Sequence, residues 1–527
     1  MNHGSSTALV EAVERSMAAQ DWAAAKDAIR QLLSLYPQDA HLWVQLSYVE
    51  SFDGRYRDAL AAASRAAKAR PTSAEVVKDV LARLRTFNLV PAMHDYIERL
   101  GGAKRLPIPL LLSTASQLSS VNDQARALKL LDEAKSADPN FPPTLVARAQ
   151  VLMYLARFSE ASADITKALA NGGAAITQAW WVASRLAKAT SAFNHVEEMD
   201  AQWVRHSASP ADVALLGHAL HKELDDLGRH EDAWQALERG NFAKRGLTQY
   251  DVASTERLFQ TLRGVTPVEA HLQSASVPSG PTPIFIIGMH RSGTTLLEQM
   301  LDGNPQVMGV GELYDFTSAM RHVTDHHCQG VIDHTIVEHA AVAGFDYAEV
   351  GRRYIDGVRW RLNGKAFFTD KLPSNFLNAG FICQALPHAK LLHMVRDPVE
   401  VCFSNLRELF SNANPYSYDQ IELADYYLQY HRLMAYWRDA FPDRIFDIRY
   451  DRMVREPEAV IREVCDFCDL KFDPEMLAIG NRKRGVATAS AVQVREGIQV
   501  RDVPKWKPYE AQLQPLIQRL RDGGVLG

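Results

Sequence analysis

The stretch from Ile284 to Leu297, IFIIGMHRSGTTLL, constrains the fold of this chain more than any other. Ile284, Phe285, Ile286 and Ile287 form a continuous apolar run rich in β-branched residues, the pattern of a strand buried on both faces of a parallel sheet. Gly288 and Gly293 bracket a tight turn, and Thr294, Thr295, Leu296 and Leu297 open a helical pattern. A strand, a glycine-framed loop and a helix in immediate succession turn backbone N–H groups toward one point beside a partly positive helix N-terminus. The predicted result is an anion cradle.

The spacing of Gly288 and Gly293, with a hydroxyl at Thr295, is that of a triphosphate-binding loop, but Thr294 stands where the lysine of such a loop should be. ATP or GTP hydrolysis is therefore poorly supported. Arg291 lies inside the loop instead. A cradle of this shape, with a guanidinium in its middle and no loop lysine, fits a phosphosulfate better than a triphosphate.

Beyond the loop lie three further segments: VMGVGELYDF with Glu312, FFTDKLPSNF with Lys371, and AKLLHMVRDPVEVCFSN with Arg396 and Ser404. Taken together and in this order, they resemble the sulfotransferase superfamily, and within it the tyrosylprotein sulfotransferase-like branch. The resemblance implies an α/β domain with a P-loop-like element and a central parallel sheet. It also implies 3′-phosphoadenosine 5′-phosphosulfate (PAPS) as donor and no required metal. Arg291, Ser292, Gly293, Thr294 and Thr295 would hold the 5′ side of the donor, and Arg396 and Ser404 the 3′-phosphate. Glu312 would act as general base, with Arg291 and Lys371 stabilising charge on the leaving oxygen. Tyr450, Ser490 and Lys505 resemble further donor contacts, the last two in a closing segment rich in Arg and Lys. In the Arg396 segment the residues themselves predict a strand ending at Val395, then a helix capped by Asp397 with Pro398 in its first position.

The first half of the chain repeats. Pro37 and Pro71 lie 34 residues apart and Pro139 two such periods further on, while Ala25, Ala59, Ala127 and Ala161 keep the same phase. Trp22, Tyr56 and Phe158 place an aromatic three positions before three of these alanines. Small residues where helices approach and an aromatic beside them suit a solenoid of helical hairpins, and the pattern resembles tetratricopeptide repeats (TPR). The stretches near 72–105 and 174–207 match poorly. The expected organisation is a TPR-like α-helical solenoid at 1–245, a linker at 246–280 and the sulfotransferase-like domain at 281–527. The separate linker implies that the solenoid selects the acceptor or a protein partner, while the second domain alone binds the donor.

With 527 residues, 47% hydrophobic and 23% charged, the chain has room for two or three domains. A formal net charge of −5 gives no general attraction to nucleic acid or anionic membrane. The opening residues lack a signal-peptide pattern, and no run approaches a membrane span, so a cytoplasmic protein is expected. The five cysteines are too few and too odd in number for a disulfide framework, and the pair Cys465 and Cys468 is expected to face a core. His322, His326, His327, His334 and His339 crowd a polar stretch that reads as a loop, without a metal-ligand spacing. The acceptor is some hydroxyl, on a peptide tyrosine, a glycan or a small molecule. The competing reading is a repeat scaffold whose second domain binds a nucleotide without catalysis.

Overall fold

The computed structural model describes residues 3–102, 104, 106–173, 175–268, 280–479, 498–500 and 502–526. As expected, a helical first half precedes a domain built on a parallel sheet. The chain divides into two compact units that do not follow sequence order: Met1–Asp138 with Tyr314–Val358, and Pro139–Leu313 with Arg359–Gly527.

In the first unit, helices Trp22–Leu35, Ala40–Phe52, Tyr56–Lys68, Ala74–Thr86, Val90–Arg99, Ile108–Ser120 and Gln124–Ala137 follow one another as hairpins. The repeating alanines have the role their phase implies, since Ala25, Ala59 and Ala127 are fully buried where helices approach. Trp22 stacks on Phe52, and Tyr56 meets Phe87 edge-on at 5.1 Å. The poorly matching stretch near 72–105 is nevertheless a helical hairpin; its first helix is capped by Ser73 and buries Val76, Val77, Val80, Leu81 and Leu84. The apolar face is present there without the alanine and aromatic that mark the other units.

Helices Asp315–Thr324, His334–Ala340 and Tyr347–Val358 complete this unit. The histidine-rich stretch is thus partly helical rather than a loop. His326 pairs with Asp333 at 3.0 Å, His339 meets the Thr324 carbonyl, and His322 and His327 pack against the ring of Tyr56. Among the described residues no cluster of His, Cys, Asp and Glu could hold a metal ion.

The second unit carries seven helices between Pro142 and Leu262, from Pro142–Tyr154 to Val252–Leu262, and then the sheet. Helix Val252–Leu262 occupies part of the 246–280 stretch and buries Phe259 and Leu262. Strands β1 (Thr282–Gly288), β2 (Val307–Gly309), β3 (Phe367–Asp370), β4 (Lys390–Val395) and β5 (Ile445–Arg449) lie in the order β2-β3-β1-β4-β5, all parallel. β1 is central and buried from Pro283 to Gly288, which is why its apolar run is unbroken. The chain leaves β1 toward β2 and β3, then crosses to β4 and β5, so strand order reverses between β1 and β4. Open parallel sheets form a ligand crevice at such a reversal, at the carboxyl ends of the strands.

All five cysteines are buried and unbridged, and Cys465 and Cys468 belong to the core behind β1 and β4. No helix among the described residues is long and apolar enough to cross a membrane.

Candidate active site

The sequence-predicted site residues emerge one after another from the carboxyl ends of the strands. Arg291 to Thr295 follow β1, Glu312 follows β2, Lys371 follows β3, Arg396 and Ser404 follow β4, and Tyr450 follows β5. The register that pairs Gly288 with Met394, Gly309 with Thr369 and Val395 with Arg449 brings these ends level. Sheet topology therefore gathers residues that are far apart in sequence along one edge.

The loop after β1 is held by close backbone approach. Gly288 and Gly293 have φ of 145° and 107°, and Arg291 adopts a left-handed φ of 67°. A Cβ at Gly293 would stand 2.4 Å from the ring of Tyr450, and one at Gly288 would stand 2.8 Å from the Met394 carbonyl oxygen. The helix Thr294–Leu301 then begins with two buried threonines. Ser292 is buried as well, and its Oγ lacks a hydrogen-bond partner.

Around this loop the β4 side closes in. Arg396 donates to the Arg291 carbonyl at 2.9 Å and to Glu400 at 2.9 Å, and its guanidinium lies over the Tyr450 ring at 4.4 Å. Its Nε is buried without a partner. Arg291 Nε donates to Ser404 Oγ at 3.3 Å, and Asn405 Nδ2 donates to the His290 carbonyl at 2.7 Å. Asp397 caps helix Pro398–Leu406 by accepting from the Glu400 N–H, and Pro398 occupies its first turn. That helix carries Ser404 and Asn405 back to the loop.

On the other side Lys371 Nζ lies 2.6 Å from Glu312 Oε1; Lys371 is almost wholly buried, while Glu312 is one-third exposed. Both are braced by Glu298. Its buried carboxylate accepts from the Gly311 N–H and from Thr369 Oγ1, each at 2.9 Å, and the Lys371 N–H donates to the Gly311 carbonyl. Burial drives the His290 imidazole down to about 4, so it is neutral at pH 7, and its ring packs on Phe410.

Under the loop, His393 on β4 joins Asp447 at 2.7 Å to Tyr430 at 2.5 Å. Burial alone would raise the Asp447 carboxyl, but its hydrogen bond from His393 and the charges of His393 and Arg438 hold it below the usual range.

Arg291, Ser292, Gly293, Thr294, Thr295, Glu312, Lys371, Arg396, Ser404 and Tyr450 thus share one sheet edge. Lys505 is partly buried in the turn before the short helix Lys507–Tyr509. Ser490, with most of the basic closing segment, lies outside the described residues. Sequence reasoning missed Glu298, Asn405, Glu408 and Arg185. Asn405 adjoins Ser404, and Glu298 is the lone charged residue of helix Thr294–Leu301, so both carried a local signal. Arg185 carried none, because its partner Glu408 is distant in sequence.

Residues 283–474 match the sulfotransferase family. An uncharacterized protein of Aquifex aeolicus is 31% identical over 411 residues, covering 76% of this chain and 53% of that protein. The chain thus spans about half the length of that relative. A Caenorhabditis briggsae protein named "Putative protein-tyrosine sulfotransferase" is 25% identical over 247 residues, 45% of this chain and 85% of that protein. The solved sulfotransferase domain from the curacin biosynthetic pathway is 18% identical, covers 44% of this chain and 97% of its own, and has a TM-score of 0.28. The residues that match this family span the parallel sheet from β1 to β5.

Proposed function

We propose that the chain is a PAPS-dependent sulfotransferase acting on an acceptor hydroxyl. One observation carries the reading: an arginine-bearing loop without a P-loop lysine meets a buried lysine–glutamate pair and a second arginine at the switch point of a parallel sheet. The residues suit a donor with phosphates. Ser292 Oγ and Arg396 Nε are buried polar groups that an anion's oxygens would satisfy, and glycine at 288 and 293 keeps the cradle clear of side chains.

In this reading the loop from Arg291 to Thr295 holds the 5′ side, with Arg396 and Ser404 near the 3′-phosphate and Tyr450 beside them. When bound, PAPS supplies a sulfuryl group already activated by its phosphate leaving group. Glu312 accepts the proton of the acceptor hydroxyl, which is too weak a nucleophile while it keeps that proton. Lys371 carries three N–H donors, so pairing with Glu312 leaves others to meet an anion. With Arg291 it supplies positive charge where negative charge develops, the kind of electrostatic contribution that dominates many group transfers.

Peptide tyrosine, glycan and small-molecule hydroxyls all fit this chemistry, and the helical hairpins support the binding of a protein acceptor or partner. The test is a thermal shift with adenosine 3′,5′-bisphosphate against ATP-Mg²⁺, followed by labelled-sulfate transfer from PAPS into protein, glycan and small-molecule fractions. Stabilisation by ATP alone would overturn the reading. Stabilisation by the bisphosphate with no transfer to any fraction would leave a nucleotide-binding scaffold.

A further inference from the structure

His290 stands inside the anion loop, between Met289 and Arg291. The loop fixes it from both sides. The Ser292 N–H donates to the Met289 carbonyl at 3.3 Å, and Asn405 Nδ2 donates to the His290 carbonyl at 2.7 Å. The imidazole packs edge-on against the ring of Phe410, with centroids 5.7 Å apart. Its Nδ1 is buried and has no hydrogen-bond partner.

Buried polar atoms are nearly always hydrogen-bonded, so an orphan in a ligand crevice points to an atom that the ligand brings. Ser292 Oγ and Arg396 Nε suit the phosphates of a donor. His290 differs in its surroundings, because the charges that act on its ring are those of Glu312, Lys371 and Arg291. It thus lies by the lysine–glutamate pair, at the place where the acceptor loses its proton. A sulfuryl group moving there presents oxygens that only accept hydrogen bonds. Burial keeps the imidazole neutral at pH 7, and a neutral imidazole protonated at Nδ1 can donate to one of those oxygens.

We propose that His290 is a catalytic residue that recognises the transferring group: its Nδ1–H donates a hydrogen bond to an oxygen of the sulfuryl moiety. This rests on the sulfotransferase reading above. Glu312 takes the proton of the acceptor hydroxyl as that oxygen bonds to sulfur. The bond from sulfur to the bridging phosphate oxygen breaks, and its electron pair leaves with the phosphate. His290 keeps its own proton throughout. Its part is that of a donor fixed in advance by the loop, at no cost of reorganisation during the transfer.

The test compares two ligands that differ only in the sulfuryl group. Calorimetry measures binding of PAPS and of adenosine 3′,5′-bisphosphate to the full chain, with melting followed in parallel. H290A should bind PAPS about tenfold more weakly, and the bisphosphate within about twofold of the unaltered chain. H290N places an amide N–H near the position of Nδ1 and should recover most of the PAPS affinity. H290Q places its amide near the position of Nε2 and should not. Equal weakening of both ligands in H290A would make His290 a support of the loop and overturn the proposal. Unaltered PAPS affinity in a folded H290A would also overturn it, as would an H290N that binds PAPS no better than H290A. Should H290A fail to fold, the two amide variants decide the matter: H290N should bind PAPS about threefold or more tighter than H290Q, with like affinity for the bisphosphate. Equal PAPS affinities would then overturn the proposal. Each of these failures leaves the sulfotransferase reading intact, whereas an unaltered chain that binds neither ligand would remove both.

Discussion

Lys371 Nζ and Glu312 Oε1 are 2.6 Å apart, with the ammonium buried and the carboxylate open to the crevice. A buried ammonium is costly without a counter-charge, and Glu312 supplies one beside Lys371 as well as being the proposed base.

Replacing Glu312 by Gln keeps shape and hydrogen bonding but removes proton acceptance. Turnover at saturating donor and acceptor should fall roughly 10²–10⁴-fold. Affinity for adenosine 3′,5′-bisphosphate should stay within a few-fold, which calorimetry checks. Near-normal turnover would exclude Glu312 as the base and direct attention to His290.

Arg396 offers a second test, in which the structure adds a complication the sequence did not show. Its guanidinium donates to the Arg291 carbonyl as well as lying over Tyr450, so Arg396→Ala loosens the loop besides removing charge. Loss of a charge-assisted contact of roughly 1.5–3 kcal/mol predicts bisphosphate binding about ten- to a hundredfold weaker. An analogue without the 3′-phosphate should lose several-fold less. Equal losses for both ligands would assign Arg396 to loop support and remove it from the 3′-phosphate site.

The strand-loop-helix, the residues after β2, β3 and β4, and the capped helix at Asp397 were legible because each is written in contiguous residues with a strong local signal. The chain order of these segments follows the strand ends, and the resemblance to the sulfotransferase superfamily is what joined Arg291, Glu312, Lys371 and Arg396 in one hypothesis. What sequence could not express was pairing across long separations. Glu408 reads locally as one acid in a surface-like helix end, and only folding reveals it between Arg185 and Arg291. The same limitation hid the course of the helical half. The compact units likewise do not follow sequence order, since Pro139–Leu313 belongs with Arg359–Gly527.

Acid should destabilise the second unit in a defined way. His218 and His221 donate through Nδ1 to the carbonyls of Ala214 and Ala233, and their Nε2 atoms are buried without partners. Burial lowers them from 6.5 to about 4 and about 3. The folded state therefore holds them neutral, whereas the unfolded chain takes up protons below its ordinary histidine value. Unfolded molecules bind more protons in this window, so stability rises with pH. The contribution is complete above about pH 6.5 and is lost progressively as pH falls toward 4. Each group adds a slope of at most ~1.4 kcal/mol per pH unit. Denaturant melts from pH 7 to 5 should show this decline, and His221→Asn should flatten it. An unchanged slope in that variant would show that His221 is protonated in the folded state.

The last prediction concerns where the domain can be cut. A chain beginning near Val277 keeps every described strand and the loop's partners Arg396, Ser404, Asn405 and Tyr450, and the linker reading predicts that it still binds the donor. The structure gives the opposite expectation. Removing the preceding helices takes Arg185 from Glu408, Asp225 from both Arg407 and Tyr509, Asn241 from the Leu406 carbonyl, and Arg245 from Glu422. All of these hold the segment just after helix Pro398–Leu406 or its neighbours. Breaking a fully buried ion pair by deleting one partner costs ~3–5 kcal/mol; Arg185–Glu408 and Arg407–Asp225 are partly buried and lie close to Ser404 in sequence, so losing both, even at a reduced cost each, is a substantial fraction of a domain's ordinary stability of ~5–15 kcal/mol. The truncated chain should be insoluble or lack a cooperative melt, and any soluble fraction should bind adenosine 3′,5′-bisphosphate at least tenfold more weakly. A chain beginning at Pro139 retains those partners and should bind the bisphosphate as the full chain does. Equal affinity in both truncations would show that the helices from 139 to 262 are dispensable for the donor site and that the two halves are modular after all.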